Sequence, residues 1–219
     1  MNPLIARLDA ALAAVHPEFL AAHMPGASDE EIDRLEALAG KPLPATLRDL
    51  LAWRNGVKKG GVLVSFAGPW NFMSVEAIIE AVDMLRDLLR YEEGWEEQTW
   101  WGHGWIPFLE DGFGDHLCVD LDGGGNLVDD GKPFIGIAEQ IIQFDHAAEL
   151  RVIKAPSFDV WLTAFIEAVE EGILVPVTEG LDWGTSYSLD AVDNGPDLAD
   201  VLGRSAPGYP KYLTCPVVS

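Results

Sequence analysis

Cysteine, basic residues and long apolar runs are all scarce in this chain, and each scarcity removes a class of protein. Two cysteines, Cys118 and Cys215, occur in 219 residues; they make neither a disulfide framework nor a zinc-ligand spacing. No stretch approaches the roughly 20 consecutive apolar residues that cross a bilayer. The amino-terminal residues lack the basic, apolar and small-residue succession of a signal peptide and carry Asp9 inside the first apolar segment, so a cytoplasmic location is expected. None of the histidines, His16, His23, His103, His116 and His146, belongs to an HExxH helix or another metal-ligand spacing. A Gly-x-Ser-x-Gly turn and a phosphate-cradling glycine loop ending in lysine are also missing. No catalytic residue, cofactor or metal is therefore assigned, and the chain does not read as an enzyme.

Positive charge is the other shortage. Lysine and arginine number 14 against 36 acidic residues, a formal net charge of -22. The imbalance is uneven: residues 1–60 hold 8 acidic and 7 basic residues, whereas 61–219 hold 28 and 7. Such a field repels nucleic acid and anionic lipid and speeds encounter with a basic protein. The same excess also serves solubility or an unusual ionic environment, and charge alone does not separate these readings.

What is present is an apolar content of 48%, that of a globular protein, arranged first at helical and then at strand spacing. Asn2-Pro3 caps a helix with Leu4, Ile5, Leu8, Ala11, Leu12 and Val15 on one stripe. Ser28 and Glu31 form a capping box before Ile32, Leu35 and Leu38, with Gly40 placed to end that helix. A third helix buries Leu47, Leu50 and Leu51, and residues 60–66 read as a strand. Ser74 caps the longest helix, 75–91. Residues 92–104 form a loop in which Trp95, Trp100 and Trp101 stand among glutamates.

Residues 105–122 read as two strands joined by a glycine turn. In the second, Leu117, Val119 and Leu121 point to one face, while His116, Cys118, Asp120 and Asp122 point to the other. The first face meets a core and the second is left to meet something else, with Cys118 half-buried. Short strands are expected near 126–128 and 132–137, and residues 141–146 and 150–154 read as strand or irregular packing. A last helix capped by Ser157 buries Trp161, Leu162, Phe165, Ile166 and Val169. Helices at both ends and short strands between them predict an α+β fold with an antiparallel central sheet flanked by helices. Residues 1–172 form the domain; 173–219, rich in glycine and proline with little periodicity, form an extension packed on it through Trp183, Tyr187, Tyr209 and Tyr212.

Three chemical readings compete for the central stretch. With Asp120 as the first position of a calcium loop, Gly124 falls at the fifth and Gly131 at the twelfth, so two ligand positions are missing. Two of Glu110, Asp111, Asp115, Asp120 and Asp122 beside the tryptophan loop make a candidate acid and base pair for a carbohydrate-active hydrolase. The third reading is a contact surface for a basic protein, formed by Trp95, Trp100, Trp101, Asp111, Asp115, Asp120 and Asp122. For the three tryptophans, partner contact and packing as a lid over the core stand level.

Three segments together resemble the SMI1/KNR4 family, also called the SUKH superfamily. Residues 28–40 with Leu43-Pro44 and Asn55-Gly56 are similar to the family's first helix, Leu-Pro link and Asn-Gly turn. Trp105-Ile-Pro-Phe108, Gly114-Asp115 and Asp120-Leu-Asp122 resemble its Trp-x-Pro-Phe, Gly-Asp and Asp-x-Asp strands, although Gly123 stands where the family often has proline. Ser157-Phe158 with Trp161-Leu162 resembles the opening of its last helix. The resemblance spans about 28–172. It implies a non-catalytic protein-binding module, as in bacterial immunity proteins that neutralise a nuclease or other toxin by direct binding, or in fungal regulators of cell-wall synthesis.

Overall fold

Asn2 and Pro3 start the first helix as their residue types require. The Asn2 side chain accepts the Leu4 amide at 2.9 Å, and Pro3 needs no amide partner at the first helical position. The computed structural model describes residues 2–57, 62–91, 99–123, 127–148, 150–182 and 184–214. The chain opens with α1 (Pro3–Val15), α2 (Pro17–Ala22), β1 (His23–Pro25), α3 (Asp29–Ala39), α4 (Ala45–Trp53) and β2 (Arg54–Val57). Ser28 and Glu31 close the capping box on α3, and Gly40 ends it at φ 70°. Arg48 of α4 donates to Asp29, Asp33 and Glu36, tying α3 to α4 along one side.

Next come β3 (Val62–Ser65), β4 (Asn71–Phe72) and α5 (Val75–Tyr91). The Asn55-Gly56 pair docks the start of α5. The Asn55 side chain accepts the Val75 amide at 2.7 Å, and Gly56 lies at φ 71° where any side chain would strike the Ser74 backbone.

The middle of the chain supplies β5 (Trp105–Glu110), β6 (His116–Asp120), β7 (Val128–Asp129), β8 (Lys132–Pro133), β9 (Gln140–Phe144) and β10 (Leu150–Ala155). Then follow α6 (Phe158–Glu170), β11 (Leu174–Leu181), β12 (Gly184–Ala191), α7 (Leu198–Ser205) and β13 (Lys211–Thr214). Eight strands form an antiparallel sheet in the order β4-β5-β6-β9-β10-β13-β7-β8. A three-stranded sheet runs β11-β12-β3, in which β12 and β3 are parallel, and β1 and β2 pair separately. Helix α6 packs on β9 and β10, α5 on β5, and α1, α4 and α7 on α6. The fold is thus α+β, an antiparallel sheet flanked by helices. Among the described residues no helix is long and apolar enough to cross a membrane.

Three expectations change. All five residues of β6 are buried, so its polar face is not a free surface, and Cys118 is wholly rather than half buried. Of residues 132–137 only Lys132 and Pro133 pair, with Val128 and Asp129. The segment after Gly172 contains two eight-residue strands, a helix and a sheet strand. It reads as irregular because β11 and β12 are mostly half-exposed, which leaves no clean alternation of apolar residues, and because Pro176 sits within β11. That strand lies at the edge of its sheet, where a missing amide costs no ladder bond. Trp183 lies outside the described residues.

Candidate interaction surface

The hairpin of β5 and β6 is covered on both sides. On one side Phe108 meets Trp161 of α6 edge-on, ring centres 5.0 Å apart. On the other, residues 99–105 fold down as a lid. Trp101 stands edge-on to Phe144 at 5.1 Å and to Trp105 at 5.6 Å, and reaches His116 at 6.4 Å. Trp101 is 0% exposed, so of its two readings the packed lid is correct and partner contact is not. Trp100 is half-buried, also edge-on to Phe144 at 5.2 Å. Trp95 lies outside the described residues.

Arg151 holds this lid, and its sequence gives little warning of it. It occupies an inward position of β10, 1% exposed, with its guanidinium 4.9 Å over the Phe144 ring. Nη1 donates to the carbonyls of Asp145, Ala148 and Leu150 and Nη2 to that of Trp100. A planar fork of donors can gather several carbonyls at once, so one side chain ties the lid to Asp145, Ala148 and Leu150.

Asp120 is also an interior group, 0% exposed, and is corrected from contact residue to structural one. Its carboxylate accepts the amides of Asp122 at 3.1 Å and Gly123 at 3.0 Å and the side-chain amide of Gln140 at 2.9 Å. Burial raises its pKa, and those three donors oppose the rise. Burial drives the Cys118 thiol well above its ordinary value, with Asp120 adding to the effect and Arg151 opposing it, which removes thiolate chemistry at neutral pH. The same interior holds the His116 ring largely neutral: burial pushes it down to about 4 against the pull of Asp111 and Asp115.

What remains at the surface is the 111–115 turn and Asp122. The Asp111 carboxylate accepts the amides of Phe113 at 2.8 Å and Asp115 at 3.0 Å. This closes a turn with Phe113 at its tip, 85% exposed. Asp115 accepts both the backbone amide of His146 at 3.0 Å and its ring Nδ1 at 2.7 Å. Asp122, at the other end of β6, pairs with Lys41. The strand between sets Asp115 and Asp120 roughly 17 Å apart at about 3.3 Å per residue, so these two do not converge on one point, whereas Asp111 and Asp115 share one turn and spend their oxygens on backbone amides and His146. Asp115, Asp145 and His146 each offer one ligand atom within 4.8 Å of the others. All three are at least partly exposed, and the Asp115 oxygen already serves His146.

A central hairpin covered on both sides, a capped first helix, an Asn-Gly dock and a last helix led by Ser157 define an α+β protein of helices around an antiparallel sheet. Residues 26–164 match the model of the SMI1 / KNR4 family (SUKH-1), and the chain belongs to that family. The match starts two residues before the segment that carries the resemblance and ends within α6; α1 and everything after α6 lie outside it. The family is broadly associated with non-catalytic roles in protein binding and immunity. A search of curated proteins gives no match to this chain.

Proposed function

We propose that this protein neutralises a basic protein toxin by stoichiometric binding, as an immunity protein. The observation that carries the reading is the charge asymmetry, 28 acidic against 7 basic residues over 61–219, together with an exposed aromatic ring set between carboxylates. Phe113 stands at the tip of a turn whose shape Asp111 fixes, with Asp115 beside it. An apolar anchor ringed by negative charge suits a basic surface: the ring supplies desolvated contact and the carboxylates supply register and encounter rate. Trp100, half-buried against Phe144, and Asp122 beyond the far end of β6 extend the contact. A toxin acting on nucleic acid carries a basic surface where it holds phosphate, and carboxylates at that surface would compete for it.

The test is co-production with the product of the adjacent gene. Protection of the producing cell and a one-to-one complex whose affinity falls with ionic strength are expected. Phe113→Ser should weaken that complex at least tenfold, about 1.4 kcal/mol, with little change in thermal stability because the ring is exposed. Asp111→Asn and Asp115→Asn keep an acceptor oxygen for the turn while removing charge, and should lower the association rate more than they raise dissociation. A neighbour product that neither binds nor harms the cell would sink the reading.

A further inference from the structure

Between α6, α7 and the sheet lies a cavity of about 250 Å3 that none of the contact residues above lines. Its walls include Trp70, Leu117, Trp161, Leu174, Leu198 and Leu202, with Lys154 and Asp197 as its charged members. Lys154 is there because β10 alternates: Arg151, Ile153 and Ala155 are buried on one face, and Lys154, between them, projects to the face that α7 overlies.

The two charges are not equivalent. Asp197 caps α7, its carboxylate accepting the amides of Ala199 at 2.8 Å and Asp200 at 3.1 Å. Among the described residues no hydrogen bond or ion pair holds the Lys154 ammonium. Burial lowers its pKa, opposed by the longer-range pull of Asp197. A half-buried cation thus faces an apolar cavity without a direct partner, an arrangement that costs stability until an anion arrives.

We propose that this cavity binds a small apolar carboxylate, its hydrocarbon body between Trp70, Trp161 and the leucines and its carboxylate paired with Lys154. A neutral apolar guest would desolvate the ammonium further without compensating it, and a cationic guest would be repelled by it. A phosphate monoester brings a second negative charge that a single lysine beside Asp197, in a chain of net charge -22, does not offset. At roughly 30 Å3 per water-sized unit, the space suits a hydrocarbon body of about eight carbons.

Octanoate is a suitable probe, titrated calorimetrically into the full chain with octan-1-ol as the uncharged comparison. One-to-one binding with Kd between roughly 10 µM and 1 mM is expected for a guest of this size. Lys154→Met should weaken it at least tenfold, the loss typical of a charge-assisted bond, and octan-1-ol should bind the wild type more weakly by a similar factor. Ala199→Phe, at an exposed position of the rim, should obstruct the cavity without disturbing the core. Absence of saturation into the low millimolar range would overturn the proposal. So would octan-1-ol binding as tightly as octanoate, or Lys154→Met binding as tightly as wild type. Should Lys154→Met fail to fold by circular dichroism, the alcohol comparison and Ala199→Phe decide the matter.

Discussion

Buried rings and buried imidazoles divide the work at the level of single residues. Trp161 is 2% exposed, stacks on Phe165 with ring centres 5.8 Å apart and meets Phe108 edge-on. Trp161→Ala leaves a hole among rigid rings that cannot close over it, so a loss of about 3–5 kcal/mol is expected, measured by urea unfolding. His23 and His116 act through pH. Burial is the main cause in both, and each is pushed from 6.5 down to about 4. Above pH 6.5 neither folded nor unfolded chain is charged at these rings, and their contribution to stability is complete. As pH falls from 6.5 towards 4, the unfolded chain takes up protons that the folded chain refuses, so stability falls by up to about 3 kcal/mol per histidine. Urea midpoints between pH 7 and 5 should drop, and His116→Phe should remove part of that slope. A slope unchanged by the substitution would place the loss elsewhere.

Turns set the register of the central elements, and here glycines with the same backbone angle have different jobs. Gly123 at φ 65° has the backbone of Ile137 and Ala138 against it, so a Cβ would overlap both. Gly131 at φ 73° has open space around its position. Gly131→Ala should therefore cost only the left-handed conformation, about 1 kcal/mol, whereas Gly123→Ala adds a collision and should cost at least about 3 kcal/mol in total; paired thermal melts read the difference. Proline cannot adopt the positive φ of Gly123, and the close approach of residues 137–138 leaves no room for any other side chain there. Elements built on local rules were legible in the sequence. The Ser28–Glu31 box and the helix over Val75–Tyr91 depend on residues within one turn of each other. The lid was legible as one of two readings of the tryptophans, but what holds it was not. An arginine on the alternating strand β10 would ordinarily face water, and only the assembled sheet brings the carbonyls of Trp100, Asp145, Ala148 and Leu150 around Arg151. The contact surface was half legible for the same reason: chemistry suggested the carboxylates, but Asp120 is consumed by the amides of Asp122 and Gly123. Phe113, between Gly112 and Gly114 and flanked by Asp111 and Asp115, is the sequence signal of that exposed turn.

The whole molecule is closed by its last 40 or so described residues rather than by the family core alone. Strand β13 pairs with β10 along four residues and also bridges to β7, so the eight-stranded sheet is not continuous without it. Strand β12 pairs with β3, and α7 covers α6. Leu174, Leu189, Val201, Leu202 and Leu213 are all buried; at about 2 kcal/mol each their burial is of the same order as the whole net stability of a domain, about 5–15 kcal/mol. A chain cut after Gly172 would keep the residues matched by the family model, yet expose the apolar side of α6 and the unpaired edge of β10, which invites association with other chains. Residues 1–172 alone should accordingly be insoluble, or soluble with poor amide dispersion in proton–nitrogen spectra and strong binding of a hydrophobic dye. A soluble fragment with a cooperative melt close to that of the full chain would show instead that the segment after α6 is an appendage, and would leave the cavity between α6 and α7 as its principal reason to be there.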